Sequence, residues 1–445
     1  MAGAGGGGGG GGAPREVRTP LLEMERYMQR RGAHPVGTVT FFCCEGGGAA
    51  REAAVEELRG RLVAVVRANP WLLGRVEGFD LVFEEPGAAP DGWPPDFFRV
   101  YAPEELRLQR TMSLEDLTAA AATTFVGRGA QTPFVRLSVI WETGGPDGGF
   151  AVVFSMDHVV GDGHTYYALL AMLGGTARCR PLNPIRKPDV EAQINKLLDK
   201  ETGNGYGSLA MTLSLMGAAA GDAFARVRDL ALGRKRDHRR SRIFSISKDW
   251  VRREKAAASG QGGVDFVSTN DLVTSWWFRS PIKGTRKPLM SCMAVNFRNR
   301  AEGCNEDDAG NYEGILNYLM GDVETPARIR KSLQGGIYHR AGSLRVPLPT
   351  TWESIRSPGY SICTNWSSFD RGMALPGCST DLHFPLFGNA GLPSNWRLCV
   401  VFRPRAGEVA VYLSGHPHLL PPLDDPAGPL TEPADITQAS SRRWF

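Results

Sequence analysis

Residues Phe150 to Gly163 read FAVVFSMDHVVGDG. The first seven are almost wholly apolar and rich in Val and Phe, the composition of a central strand covered on both faces. Thr165 to Leu173 then reads as a helix. Asp157 to Gly163 is therefore expected to be a strand-to-helix loop, a place where a rigid strand can hold a side chain out into a cleft. His158 stands in that loop, and histidine is the side chain whose ordinary pKa suits proton transfer near neutral pH. Gly161 and Gly163 flank Asp162, so the backbone can turn tightly while the carboxylate faces away and braces the loop. A loop histidine taken alone is more often a hydrogen-bonded structural group, so the weight of this reading rests on its surroundings.

Working outward, Val135, Leu137, Val139 and Trp141 alternate with Arg136 and Ser138, the period of a half-buried strand. Val55, Leu58, Leu62 and Val65 recur at helical spacing over Ala49 to Ala68, and Asn69-Pro70 ends that helix. Two short extended runs flank Gly78, a further strand covers Asp96 to Tyr101, and Ser113 caps a helix through Asp116. From about Cys179 to Ser245 the pattern loosens into a linker. The second half then resumes with strands at 243–247, 289–296, 360–365, 398–403 and 408–414 and a helix over 270–279. The expected division is a Gly-rich tail (1–15), a domain at 16–180, a crossover at 181–242, a second domain at 243–420 and a tail at 421–445.

Composition narrows the function. The chain has 445 residues, 42% hydrophobic, enough for two domains with large cores. Its 51 basic and 47 acidic residues leave a net charge of +4, too balanced for nucleic acid to be the main partner. The eight cysteines form no CxxC pair and have no zinc-finger spacing, so reduced, packed thiols are expected. His164 could join His158 and Asp162 in a metal reading, but no further ligand cluster lies nearby and no metal is expected. Without a secretory core or an apolar run of membrane-spanning length, a cytosolic protein is expected.

HxxxDG between a buried strand and a helix resembles the active-site motif of the coenzyme-A-dependent acyltransferase superfamily. That superfamily includes chloramphenicol acetyltransferase, the BAHD acyltransferases, condensation domains and wax ester synthases. Other segments resemble it in the same order: RTPLLEMERYM (18–28), AVVRANPWLLGRV (64–76), STND (268–271), AVNFRNR (294–300) and TNWSSF (364–369). Asp157 occupies the place where condensation domains and wax synthases carry a second histidine. The BAHD DFGWG segment has only Asp381 as a clear counterpart.

The resemblance implies an α/β fold of two similar chloramphenicol-acetyltransferase-like domains, with mixed sheets flanked by helices and a tunnel between them. It implies acyl transfer from an acyl-CoA co-substrate to a small hydroxyl or amine acceptor, with His158 as general base and no covalent intermediate. Asp162 and Gly163 complete the motif, Arg298 is the arginine expected to pair with Asp162, and Thr364, Ser367 or Ser368 would supply an oxyanion donor. No permanently bound cofactor is implied, and a monomer suffices.

The crossover adds an alternative. Leu209 to Ala220 is unusually apolar, and Arg234 to Arg242 carries six basic residues and one acid, a combination suited to peripheral membrane contact through 209–242. A lipid-directed transferase making wax esters or diacylglycerol-type esters is therefore one alternative. A condensation-like binding module without turnover is the other.

Overall fold

The computed structural model describes residues 15–432 apart from 33, 86–96, 128–131, 143–148, 203–216, 218–219, 222, 225–226, 228–230, 232–238, 259, 261–262, 281–289, 319–324, 335–358, 388–395 and 422–426. Two mixed sheets dominate. The first has five strands in the order β12 (Cys378–Leu386), β2 (Val36–Cys44), β7 (Phe150–Met156), β6 (Val135–Trp141) and β5 (Phe98–Tyr101). The second has seven: β10 (Glu313–Tyr318), β9 (Met290–Asn296), β11 (Tyr360–Asn365), β13 (Trp396–Phe402), β14 (Ala410–Gly415), β8 (Arg240–Ile246) and β15 (Leu430–Thr431). A small sheet of β1 (Arg15–Pro20), β4 (Asp80–Glu85) and β3 (Arg75–Glu77) completes the set.

β7 lies at the centre of the first sheet and is buried at every residue, as its unbroken apolar run requires. β6 departs from a simple alternation. Ser138 and Ile140 are buried with the odd-numbered residues, while Trp141 is half-exposed beneath the Arg51 guanidinium, 4.2 Å from its ring centre. On the helical layer, α2 (Gly47–Ala68) buries Val55, Leu58, Leu62 and Val65 and packs on α4 (Gly163–Leu173). Each such side chain contributes roughly 1.5–3 kcal/mol by leaving water. Asn69 ends α2, and its side chain then ties the chain down by accepting from the Leu182 N–H at 2.7 Å and donating to Arg180 O at 3.1 Å.

The two halves interlock. β12 comes from the second half yet pairs antiparallel with β2, so the first sheet draws an edge strand from residues 378–386, within the segment read as the second domain. That register sets Cys378 opposite Cys44, and the two form a disulfide. The expectation of reduced cysteines is thereby corrected for this pair. Its 334-residue separation leaves no spacing signal, because the contact depends on a strand pairing between halves. Side chains along β13 alternate similarly. Leu398, Val400 and Phe402 enter the core shared with the first half, while Cys399 and Val401 enter the second core.

Most of the crossover read as a membrane-contact segment lies outside the described residues. Its beginning is ordered differently from a linker, since α5 (Pro188–Thr202) buries Val190, Ile194 and Leu198 against the second core beside β10. Among the described residues no helix is long and apolar enough to cross a membrane.

Candidate active site

The loop after β7 meets a second loop, Phe297 to Tyr312, which connects β9 to β10 and reaches over from the other half. Asp162 caps α4, its Oδ1 accepting from the Thr165 N–H at 3.0 Å. Its Oδ2 accepts from Arg298 Nη1 at 2.7 Å and from the Tyr312 N–H at 3.2 Å. Arg298 spends its remaining donors on Asp308 O (2.8 Å), Gly310 O (2.8 Å), Thr165 Oγ1 (3.1 Å) and Asn296 Oδ1 (3.0 Å). Both side chains are buried. Burial pushes the Asp162 carboxyl up, but the charge and hydrogen bond of Arg298 outweigh it and hold the carboxyl below its ordinary range. A buried ion pair this fully hydrogen-bonded is a clamp between the halves rather than a group offered to a substrate.

His158, half-buried, is held by a residue the motif does not contain. Asn311 Nδ2 donates to His158 O at 2.9 Å and to Glu25 Oε1 at 3.3 Å, which leaves its Oδ1 to face His158 Nδ1 at 3.1 Å. An amide oxygen can only accept, so Nδ1 carries the proton of the neutral ring and the lone pair is on Nε2. Among the described residues nothing hydrogen-bonds to Nε2. Glu25, from α1 (Glu23–Arg31), is fixed in turn by Arg186 Nε at 2.9 Å, with both side chains fully buried. Asn311 and Glu25 carry no local sequence signal; only the crossing of loops from three parts of the chain makes them neighbours of His158.

His164 is the contrasting case. Its Nε2 donates to Glu306 O at 3.0 Å, and its Nδ1 faces Asn296 Nδ2 at 3.4 Å, so both ring nitrogens are engaged. Burial and the nearby Arg298 charge lower its pKa, against a smaller pull from Asp162. Of the two histidines, His158 is the one with a free basic nitrogen.

A cavity of about 430 Å³ opens between the halves. Its walls include His164, Tyr167 and Ala171 from α4, Ala294 and Asn296 from β9, Asn365 at the end of β11 and Ser368 just beyond it. Arg180, Arg300 and Arg371 also line it, with Glu306 as the opposing carboxylate. His158 is not in that wall. Gly163 sits close against Trp366, where a Cβ would lie 3.2 Å from Nε1, so a larger residue would need the indole to give by a few tenths of an ångström. Of the oxyanion candidates, Ser367 gives its hydroxyl to Asn365 Oδ1 at 2.7 Å, Ser368 is exposed on the cavity wall, and Thr364 is half-buried on β11.

No family model and no curated protein matches the sequence. Solved structures do match the fold. TRI101 of F. graminearum, solved with coenzyme A and T-2 mycotoxin, aligns with a TM-score of 0.54 at 15% identity, covering 90% of this chain and 95% of that one. TRI101 of F. sporotrichioides, with coenzyme A and T-2, aligns at 0.53 and 13% over 90% and 95%. The first condensation domain of the calcium-dependent antibiotic synthetase, with a substrate analogue, aligns at 0.51 and 12% over 91% and 92%. The chain therefore has the two-domain chloramphenicol-acetyltransferase-like fold expected from its sequence.

Proposed function

We propose that this protein transfers an acyl group from an acyl-CoA thioester to a hydroxyl or amine, with His158 as the general base. The observation that carries the reading is the free Nε2 of a histidine whose other nitrogen is pinned by Asn311. In this mechanism Nε2 accepts the acceptor's proton as that atom attacks the thioester carbonyl. The tetrahedral intermediate then collapses, and the imidazolium returns the proton to the departing thiolate. No bond to the protein forms. Thr364 and Ser368 are the hydroxyls offered to the oxyanion, since Ser367 is already committed to Asn365. Asp162 and Arg298 hold the loop without touching substrate.

The cavity suits the donor. Arg180, Arg300 and Arg371, three of the four arginines on its wall, complement the phosphates of coenzyme A, and coenzyme A is the ligand named for the TRI101 structures of the same fold. The test is mass spectrometry of products from acetyl-, octanoyl- and palmitoyl-CoA offered with pooled alcohols and amines. An acylated acceptor formed together with free coenzyme A supports the reading. Free coenzyme A without any acylated product, or neither, contradicts it.

A lipid-directed variant of the same chemistry draws on one observation: Phe224 and Val227, two apolar residues of the 209–242 segment, are 68% and 66% exposed. Sedimentation with anionic liposomes tests it. Binding that survives neutralisation of Arg234, Lys235 and Arg236 and replacement of Phe224 by Ser rejects membrane docking by this segment.

A further inference from the structure

Glu313 opens β10, and its orientation follows from the strand's alternation. Tyr312, Leu316 and Tyr318 pack into the second core, so Asn311, Glu313 and Ile315 face the other side of the sheet. Across the ladder, Glu313 pairs with Asn296 and Ile315 with Ala294, two residues of the cavity wall. Two positions back, Asn311 holds His158. Glu313 thus stands on the cleft face between the histidine's support and the cavity.

The buried carboxylates around it each have a cation, and the exposed Glu306 at least accepts from Asn299 Nδ2 at 3.2 Å. Glu25 has Arg186, Asp162 has Arg298, and Asp308 has Lys187 at 2.7 Å. The Glu313 side chain is half-buried and makes no hydrogen bond or ion pair among the described residues. Burial raises its pKa, with the charge of His158 opposing and that of Asp162 reinforcing the rise. A half-buried carboxyl left without a donor is stabilised when a ligand supplies one and completes its burial. The donor substrate is a poor candidate, because its phosphates and its departing thiolate are anionic and would be repelled.

We infer that Glu313 recognises the acceptor, and that the acceptor carries a protonated amine a few atoms from the hydroxyl or amine that is acylated. This rests on the acyltransferase reading for the word acceptor, but the recognition itself is a binding property. A charged hydrogen bond of this kind is worth roughly 10- to 100-fold in affinity. Specificity would come from the same carboxyl, which is covered and left unpaired when a neutral analogue occupies the cleft.

The experiment is calorimetric binding of matched probes, the amino alcohols 4-aminobutanol and 6-aminohexanol against the neutral 1-pentanol and 1-heptanol, to the full chain and to Glu313→Gln and Glu313→Asp. The expected result is at least about 10-fold tighter binding of the amino alcohols by the unmodified protein. That preference is lost in Glu313→Gln and partly kept in Glu313→Asp, with the neutral alcohols unchanged. Equal affinity for both probe classes, or an amine preference that survives in Glu313→Gln, overturns the inference. Turnover is scored separately: if acyl transfer fails but the amine preference depends on Glu313, the acyltransferase reading falls and the recognition site stands.

Discussion

Nδ1 of His158 lies 3.1 Å from Oδ1 of Asn311, and the same amide reaches His158 O and Glu25 with its nitrogen. This three-way hold fixes both the tautomer and the direction of the imidazole. Replacing Asn311 by Ala frees the ring to rotate, so kcat is expected to fall about 10- to 100-fold, by analogy with the loss when the hydrogen-bond partner of a metal-ligating histidine is removed. KM for the acyl donor should change little. Initial-rate kinetics over a donor series check this, and a change confined to KM would place Asn311 in donor binding instead.

The Arg298–Asp162 pair closes the loop between the halves. Asp162→Ala leaves the guanidinium buried with one partner missing, at a cost of about 3–5 kcal/mol. Asp162→Ala with Arg298→Met removes both charges and should recover a good part of that loss. Urea denaturation of the two variants reads it directly. Recovery of stability without recovery of turnover is expected, because the paired replacement does not restore the geometry of the loop bearing His158.

His164 gives the stability a pH limb. Its pKa is lowered in the folded protein by burial, then by Arg298, so below its ordinary value near 6.5 the unfolded chain binds the proton first. Stability therefore falls as pH drops from about 6.5 toward the lowered folded value. His164→Asn should make that limb shallower in urea titrations between pH 7 and 5, the remainder coming from His383, whose pKa burial also lowers. An unchanged limb would assign it to another group.

The arginines on the cavity wall separate donor from acceptor. Arg300→Ala and Arg371→Ala are exposed changes that should spare folding. Each is expected to raise KM for acyl-CoA about 3- to 10-fold, more steeply at low salt, and to leave the acceptor KM unaltered. A panel of salt concentrations with dephospho-coenzyme A esters as controls distinguishes loss of a phosphate contact from general damage.

The part of the site that a sequence can display is the part built from neighbours in the chain. The strand Phe150–Met156, the loop holding His158 and the capping role of Asp162 are contiguous, and their residue types alone specify the turn. Arg298 is legible through resemblance at one strand end. Asn311, Glu25 and Glu313 are not, because their roles arise where the loop before β10 crosses α1 and the His158 loop, and nothing in a linear pattern records that crossing. The pairing of β12 with β2, and with it the Cys44–Cys378 disulfide, escaped for the same reason: strand register across halves depends on partners hundreds of residues apart.

The most direct test of the account is thiol release from acyl-CoA in the presence of an accepted acceptor, comparing the unmodified protein with a folded His158→Ala variant. The account predicts acceptor-dependent release that falls about 10²- to 10⁴-fold in the variant, with no acyl group found on the protein. Release that is equal in both proteins, or an acyl-protein intermediate trapped in the unmodified one, would contradict direct transfer with His158 as the base.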